Sequence, residues 1–238
     1  MVQPISELES KGLINEQTDK IINFIKMENF EDALVLGRSL VELSKNNPNV
    51  LSIMGMLTLK LGAYDDAVRY YKKVVKMRPN CALSNYNLAN SLNSTGQLDA
   101  AISSYKKAIR NKRNYADAYY ALGNVYSSIG NYKKAVMHYK EAIRMQPEFA
   151  EAHNNLGIAL TKLGRQNEAI DHYYRATRIK PDYADAHNNN GVILSEQGKS
   201  DEAIEAYKRA LTVNRSNAET YYNLGLSLIH ISEPTRPY

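Results

Sequence analysis

The chain has no tryptophan, three phenylalanines and a single cysteine among 238 residues. Cys81 alone cannot form an internal disulfide, which excludes a disulfide-stapled scaffold. A lone thiol suits a reducing compartment, so a cytoplasmic location is expected. No apolar run approaches the length needed to span a bilayer. The N-terminal Met-Val-Gln-Pro-Ile-Ser-Glu-Leu has no basic stretch followed by an apolar core, so no secretory signal is read there. Twelve glycines and seven prolines are too few for a disordered, low-complexity chain. A phosphate-binding glycine loop, a nucleophile elbow and a zinc motif are all missing. No catalytic residue, cofactor or metal is therefore assigned, and the chain as given is expected not to be an enzyme.

What is present is a period. Gly62, Gly96, Gly130, Gly164 and Gly198 stand 34 residues apart, as do Ala67, Ala101, Ala135, Ala169 and Ala203. Tyr71, Tyr105, Tyr139, Tyr173 and Tyr207 form a third column at the same spacing. A fixed period of this length marks a solenoid, in which each unit buries its apolar face only against its neighbours. Within one unit, Leu122, Val125, Tyr126 and Ile129 have helical spacing. Gly130-Asn131 breaks that run by supplying a left-handed turn. Ala135, Val136, Tyr139, Ala142 and Ile143 give a second amphipathic run, ended by Pro147. The unit is helix, tight turn, helix, short loop. Gly123, Gly157, Gly191 and Gly225 fall mid-helix, with Ala89 in the same place in one unit. A mid-helix glycine costs about 1 kcal/mol against alanine, so close helix approach is expected there.

These columns resemble the tetratricopeptide repeat family, with small residues at positions 8, 20 and 27, aromatics at 11 and 24, and proline at 32. The resemblance implies an all-α, right-handed superhelical solenoid of antiparallel helix pairs. Five units run 48–81, 82–115, 116–149, 150–183 and 184–217. Position 32 departs from proline at Arg113 and Arg215. Position 4, often tryptophan in the family, holds Leu51, Asn85, Tyr119, His153, His187 and Tyr221. Residues 14–47 read as a degenerate capping repeat, with Ile21, Phe24, Phe30, Ala33, Leu36, Leu40 and Leu43 at helical spacing. Residues 1–13 are expected to fray. Residues 218–225 begin a further, truncated repeat. Residues 226–238 resemble a translated sequencing-library adapter, the alternative being a natural tail. On the adapter reading this stretch is a non-native tail, poorly ordered or extended over 230–238, and the chain is a fragment of a longer protein. Its open C-terminal end is then a candidate for self-association.

In such stacks the first helices line the concave face. Position 6 there carries Asn87, Asn155, Asn189 and Asn223; position 5 carries Tyr86, Tyr120, Tyr222, Asn154 and Asn188; position 9 adds Asn90 and Asn124. An amide offers both donor and acceptor, so a row of them suits the backbone of an extended peptide. The alternative is that these asparagines bond neighbouring loops. Position 2 reads Asn49, Leu83, Asp117, Glu151, Asp185 and Glu219. With no lysine at position 5, that row excludes the family's clamp for chaperone C-terminal carboxylates. The formal charge of +5 is spread over second helices with carboxylates interleaved, a solvated face rather than a nucleic-acid stripe. His153 and His187 lie one period apart, roughly 10 Å by helix packing, too far to share a zinc ion. They are expected to be packing residues, and His138 and His172 lone surface histidines. Asp65-Asp66 and Asp201-Glu202 open second helices, where the dipole favours negative charge.

Two functions follow. The first is a scaffold binding a segment or helix of a partner protein, with no nucleic acid and no membrane span. The second rests on Ala152-His153-Asn154-Asn155-Leu156-Gly157, which resembles arrays preceding O-GlcNAc transferase-like glycosyltransferase domains; sulfotransferase domains follow similar arrays. The repeats would then select substrates for a downstream enzyme. A third, weaker reading is an assembly factor anchored by its basic second-helix face.

Overall fold

A computed structural model describes residues 7–44 and 47–232, with side chains over 12–44 and 47–229. Among the described residues the chain is all α-helix. In order these are α1 (Glu7–Lys26), α2 (Phe30–Leu43), α3 (Pro48–Lys60), α4 (Tyr64–Met77), α5 (Ala82–Ser94), α6 (Leu98–Asn111), α7 (Ala116–Ser128), α8 (Tyr132–Met145), α9 (Ala150–Lys162), α10 (Gln166–Ile179), α11 (Ala184–Glu196), α12 (Ser200–Val213) and α13 (Ala218–Ser232). They pair as antiparallel hairpins, α1 with α2 through α11 with α12, and α13 packs on α12. The chain divides into two compact units, Met1–Asn114 and Tyr115–Tyr238.

Each tight turn is built the same way. The five periodic glycines have φ of +73° or +74°, the left-handed region where a side chain is strained. The residue after each glycine donates its amide five residues back, as Asn131 does to the Tyr126 carbonyl at 2.8 Å. This closes the orphan carbonyls of the first helix. Where the next residue is asparagine, its side chain also starts the second helix: Asn131 accepts from the Lys134 amide.

Packing inside a hairpin explains the other two columns. The periodic alanines are fully buried where the helices cross. A Cβ built at Gly123, Gly157 or Gly191 would lie 2.6 Å from the ring of Tyr139, Tyr173 or Tyr207 respectively. Gly55 meets Tyr71 at 2.7 Å. Each mid-helix glycine is therefore a notch that receives the tyrosine sixteen residues later. Gly225 is the exception, with nothing within 4 Å.

The first unit also holds α1 and α2. Ile21, Ala33 and Leu40 join Val50, Leu51, Met54 and Leu57 in one core, and Phe24, Phe30 and Leu36 pack on it. Gly37 lets Met54 in, since a Cβ there would overlap its sulfur. Leu43 does not join; it is 74% exposed, at the last turn of α2. Ile129 is likewise exposed, because it caps α7 rather than lying within it. Part of the segment expected to fray is helical: α1 begins at Glu7, and residues 1–6 lie outside the described residues. At the other end, α13 continues past Gly225 to Ser232, so 230–232 are helical rather than extended. The remainder of that segment, 233–238, lies outside the described residues.

Candidate functional site

The second unit brings α7, α9 and α11 side by side and joins their amides. The Asn155 Nδ2 group donates to Asn124 Oδ1 and to the Tyr120 hydroxyl, each at 3.0 Å. Asn189 Nδ2 donates to Asn154 Oδ1 at 3.1 Å, and Asn154 Nδ2 to Asn155 Oδ1 at 3.3 Å. Tyr139 closes the row by donating its hydroxyl to Asn124 Oδ1 at 2.8 Å. Asn188 Oδ1 takes the Thr220 hydroxyl at 3.1 Å, which ties α11 to α13. Asn124, Asn155, Asn154 and Asn189 thus form a continuous hydrogen-bonded row across α7, α9 and α11. Side-chain networks of this kind polarise one another and fix the geometry of their members.

The network sorts the asparagines by role. Asn154 and Asn188 are only 4% and 7% exposed, and their amides are engaged by neighbours. Asn124, Asn155, Asn189 and Tyr120 are partly exposed, and Asn189 Oδ1 has no partner among the described residues. Asn124, Asn155 and Tyr139 line a cleft of about 250 Å³ together with Ser127 and Ile158. Tyr222 is exposed and Asn223 half-buried on α13, outside the bonded row. In the first unit Tyr86 tilts against Tyr105 at 5.9 Å, Tyr105 donates to Asn90 Oδ1 at 2.6 Å, and Asn87 bonds the Tyr71 hydroxyl.

One group on this surface escaped the sequence reading, the aromatics of the loops that precede the first helices. The column tyrosines do more than pack: the hydroxyls of Tyr71, Tyr105 and Tyr139 meet asparagines, and that of Tyr173 meets Thr161. Burial raises Tyr71 and Tyr173 to about 12, so both remain protonated donors. Tyr183, in the loop before α11, bonds Asn154; burial and the nearby Tyr120, Glu151 and Asp185 push it up to about 12. Phe149 occupies the same repeat position and packs on Tyr120 at 4.7 Å. The signal was an aromatic at position 34, present in Tyr115, Phe149 and Tyr183. The acidic row is placed beside it, with Glu151 paired to Lys180 at 3.6 Å.

The histidines require a correction. His153 and His187 are buried but not merely packed: each bonds the carbonyl of the proline six residues earlier, Pro147 at 3.1 Å and Pro181 at 3.0 Å. Asn85 does the same to Pro79 at 2.9 Å. A polar residue at position 4 follows each proline at position 32, a pairing legible in the sequence. His172 is not a lone surface residue, since its Nδ1 lies 2.9 Å from His153 Nδ1. With His153 Nε2 donating to Pro147, its Nδ1 accepts and His172 donates. Burial, then His153, Arg175 and Lys140, lower His172 to about 4. His138 stacks on Tyr126 at 5.3 Å and 5°. Among the described residues no group of three or more histidines, cysteines or carboxylates could hold a metal ion, and no helix is long and apolar enough to cross a membrane.

Helix pairs joined by left-handed glycine turns, with a glycine notch filled by the partner helix's tyrosine, define a helical repeat protein. The chain belongs to the tetratricopeptide repeat family: models described as TPR repeat match 89–130, 123–164, 159–198 and 191–229, and one described as tetratricopeptide repeat matches 49–81. No curated protein matches the chain in sequence. Among solved structures it is similar to MamA, at 30% identity and a TM-score of 0.65, over 70% of this chain and 97% of that one. MamA from Desulfovibrio magneticus RS-1 (residue 41 to the end) gives 21% identity and a TM-score of 0.66, over 72% and 97%. YrrB, a TPR protein with an unusual peptide-binding site, gives 21% and 0.64, over 83% and 98%. The last two likenesses concern the fold alone.

Proposed function

We propose that the protein is an interaction scaffold, and that the first-helix face of its second unit binds a peptide segment or helix of a partner protein. The observation that carries this is the amide row from Asn124 through Asn155 and Asn154 to Asn189, which crosses three helices and borders an open cleft. Rows of fixed, partly exposed amides present donors and acceptors at set positions without lost side-chain entropy, which is the benefit of preorganisation. Tyr120 and Tyr183 add rigid aromatic area beside the row. Asp117, Glu151, Asp185 and Glu219 give this side an acidic edge, which favours segments with basic residues. YrrB shows that this fold can carry a peptide site.

The test is selection of peptides from a displayed library on the purified chain, followed by affinity measurement on variants. Changing Asn155 and Asn189 together to alanine is expected to weaken selected peptides several-fold or more, since each net hydrogen bond contributes about 0.5–1.5 kcal/mol. Circular dichroism checks that helix content is kept. If Lys133→Glu with Lys134→Glu on α8 abolishes binding while the asparagine pair does not, the site is on the second-helix face.

A further inference from the structure

Two consecutive repeats treat the same histidine differently. His153 and His187 both hold their Nε2 on a proline carbonyl, which leaves Nδ1 as the acceptor in each. In the earlier repeat that acceptor is satisfied by His172. In the later repeat the residue equivalent to His172 is Ala206. The imidazole that would complete the pair is replaced by a cavity of about 280 Å³ that both His187 and Ala206 line. His187 is only 8% exposed, and among the described residues its Nδ1 has no hydrogen-bond partner. A second acceptor in the same cavity is also unused: Asn190 Oδ1 is buried without a partner. Of the two, only the Asn190 oxygen is sealed from solvent, and a buried acceptor without a donor is costly and uncommon.

The rest of the cavity indicates what would satisfy them. Asp171, Glu202 and Glu205 line it, against one guanidinium, Arg209, which is already paired with Glu205. Ile170 and Leu194 give it apolar walls, and Tyr174, largely exposed, offers an aromatic face. Acceptors of three kinds, an excess of negative charge and an aromatic face fit a planar, multiply donating cation. A guanidinium carries five N–H donors in a fixed fork and stacks on aromatic rings. The volume equals about nine waters at roughly 30 Å³ each, enough for a side chain of that size.

We propose that the cavity bounded by α10, α11 and α12 is a binding pocket for an arginine-type guanidinium, presented by a partner polypeptide or by a small molecule. It is separate from the amide row and does not depend on the function proposed for that row.

The test uses the full chain and the nitrogen resonances of the His187 ring. Titration with N-acetyl-argininamide is expected to shift Nδ1 saturably, and N-acetyl-norleucinamide to leave it unmoved. Ala206→His rebuilds the pair seen at His153 and fills the cavity, so it should weaken binding at least tenfold with helix content unchanged. Should that variant misfold, His187→Leu, which copies Leu51 at the equivalent position, is expected to give the same loss, read by calorimetry. The peptide acetyl-Gly-Gly-Arg-Gly-Gly-amide separates the sources: binding as tight as the free amide assigns a polypeptide arginine, and binding of the free amide alone assigns a small molecule. Equal binding of norleucinamide or of N-acetyl-lysinamide, unchanged affinity in both variants, or no saturable shift at the solubility limit would overturn the proposal.

Discussion

Replacing Gly157 by alanine separates two effects that usually travel together. In a helix interior alanine is favoured over glycine by about 1 kcal/mol. At Gly157, however, the new methyl would stand 2.6 to 2.8 Å from three ring carbons of Tyr173, well inside contact distance. That ring is 2% exposed, and its hydroxyl lies 3.3 Å from Thr161, so it has little room to retreat. Forcing a methyl into a filled core costs about 1–3 kcal/mol. The overlap outweighs the propensity, and a net loss of about 1 kcal/mol is expected. Gly225→Ala is the matched control, at the same repeat position with nothing within 4 Å, and should gain about 1 kcal/mol. Because repeat proteins open locally, the readout is native-state hydrogen exchange in α9 and α10 for one variant and α13 for the other. Faster exchange in the first and slower exchange in the second is the expected pattern. Ala89, tolerated opposite Tyr105, shows that a repeat whose neighbours have adjusted can accept the methyl. If Gly157→Ala stabilises its hairpin as Gly225→Ala does, the glycine is not held by the tyrosine and the notch argument fails.

Other expectations follow from single contacts. Gly164→Ala has space but sits at φ +73°, so it should cost about 1–2 kcal/mol of local stability from the backbone alone, seen as faster exchange around the α9–α10 turn. Tyr139→Phe removes the hydroxyl bonded to Asn124 and should cost about 0.5–1.5 kcal/mol in denaturant unfolding. His172 titrates near 4 in the fold and near 6.5 when unfolded, so the unfolded chain takes the proton first as pH falls. Its contribution to stability is therefore full above about pH 6.5 and is lost progressively down to about pH 4. The denaturation midpoint should drop between pH 7 and pH 5, and drop less in His172→Ala, the residue found at this position in the following repeat; equal slopes would remove the histidine pair as the cause.

The sequence alone determined the repeat and its turns, because those depend on neighbours in the chain. A glycine at each φ of +73° or +74° and an alanine at each crossing are local requirements, and they recur in register from Gly62 to Ala203, while a proline follows the second helix in three of the five units. The residues of the first-helix face were equally legible, since helical spacing puts positions 5, 6 and 9 on one side. What each of them bonds was decided by the tertiary structure. Asn155 reaches Tyr120 and Asn124, 35 and 31 residues earlier, and spacing alone gives no reason for the amide to prefer them over a loop or a ligand. His153 met His172, 19 residues on, rather than His187 a full period away, because antiparallel pairing folds the second helix back across the first. The cavity beside His187 arises in the same way. Its unfilled acceptor is visible only when Ala206 is seen in the place where the previous repeat holds an imidazole.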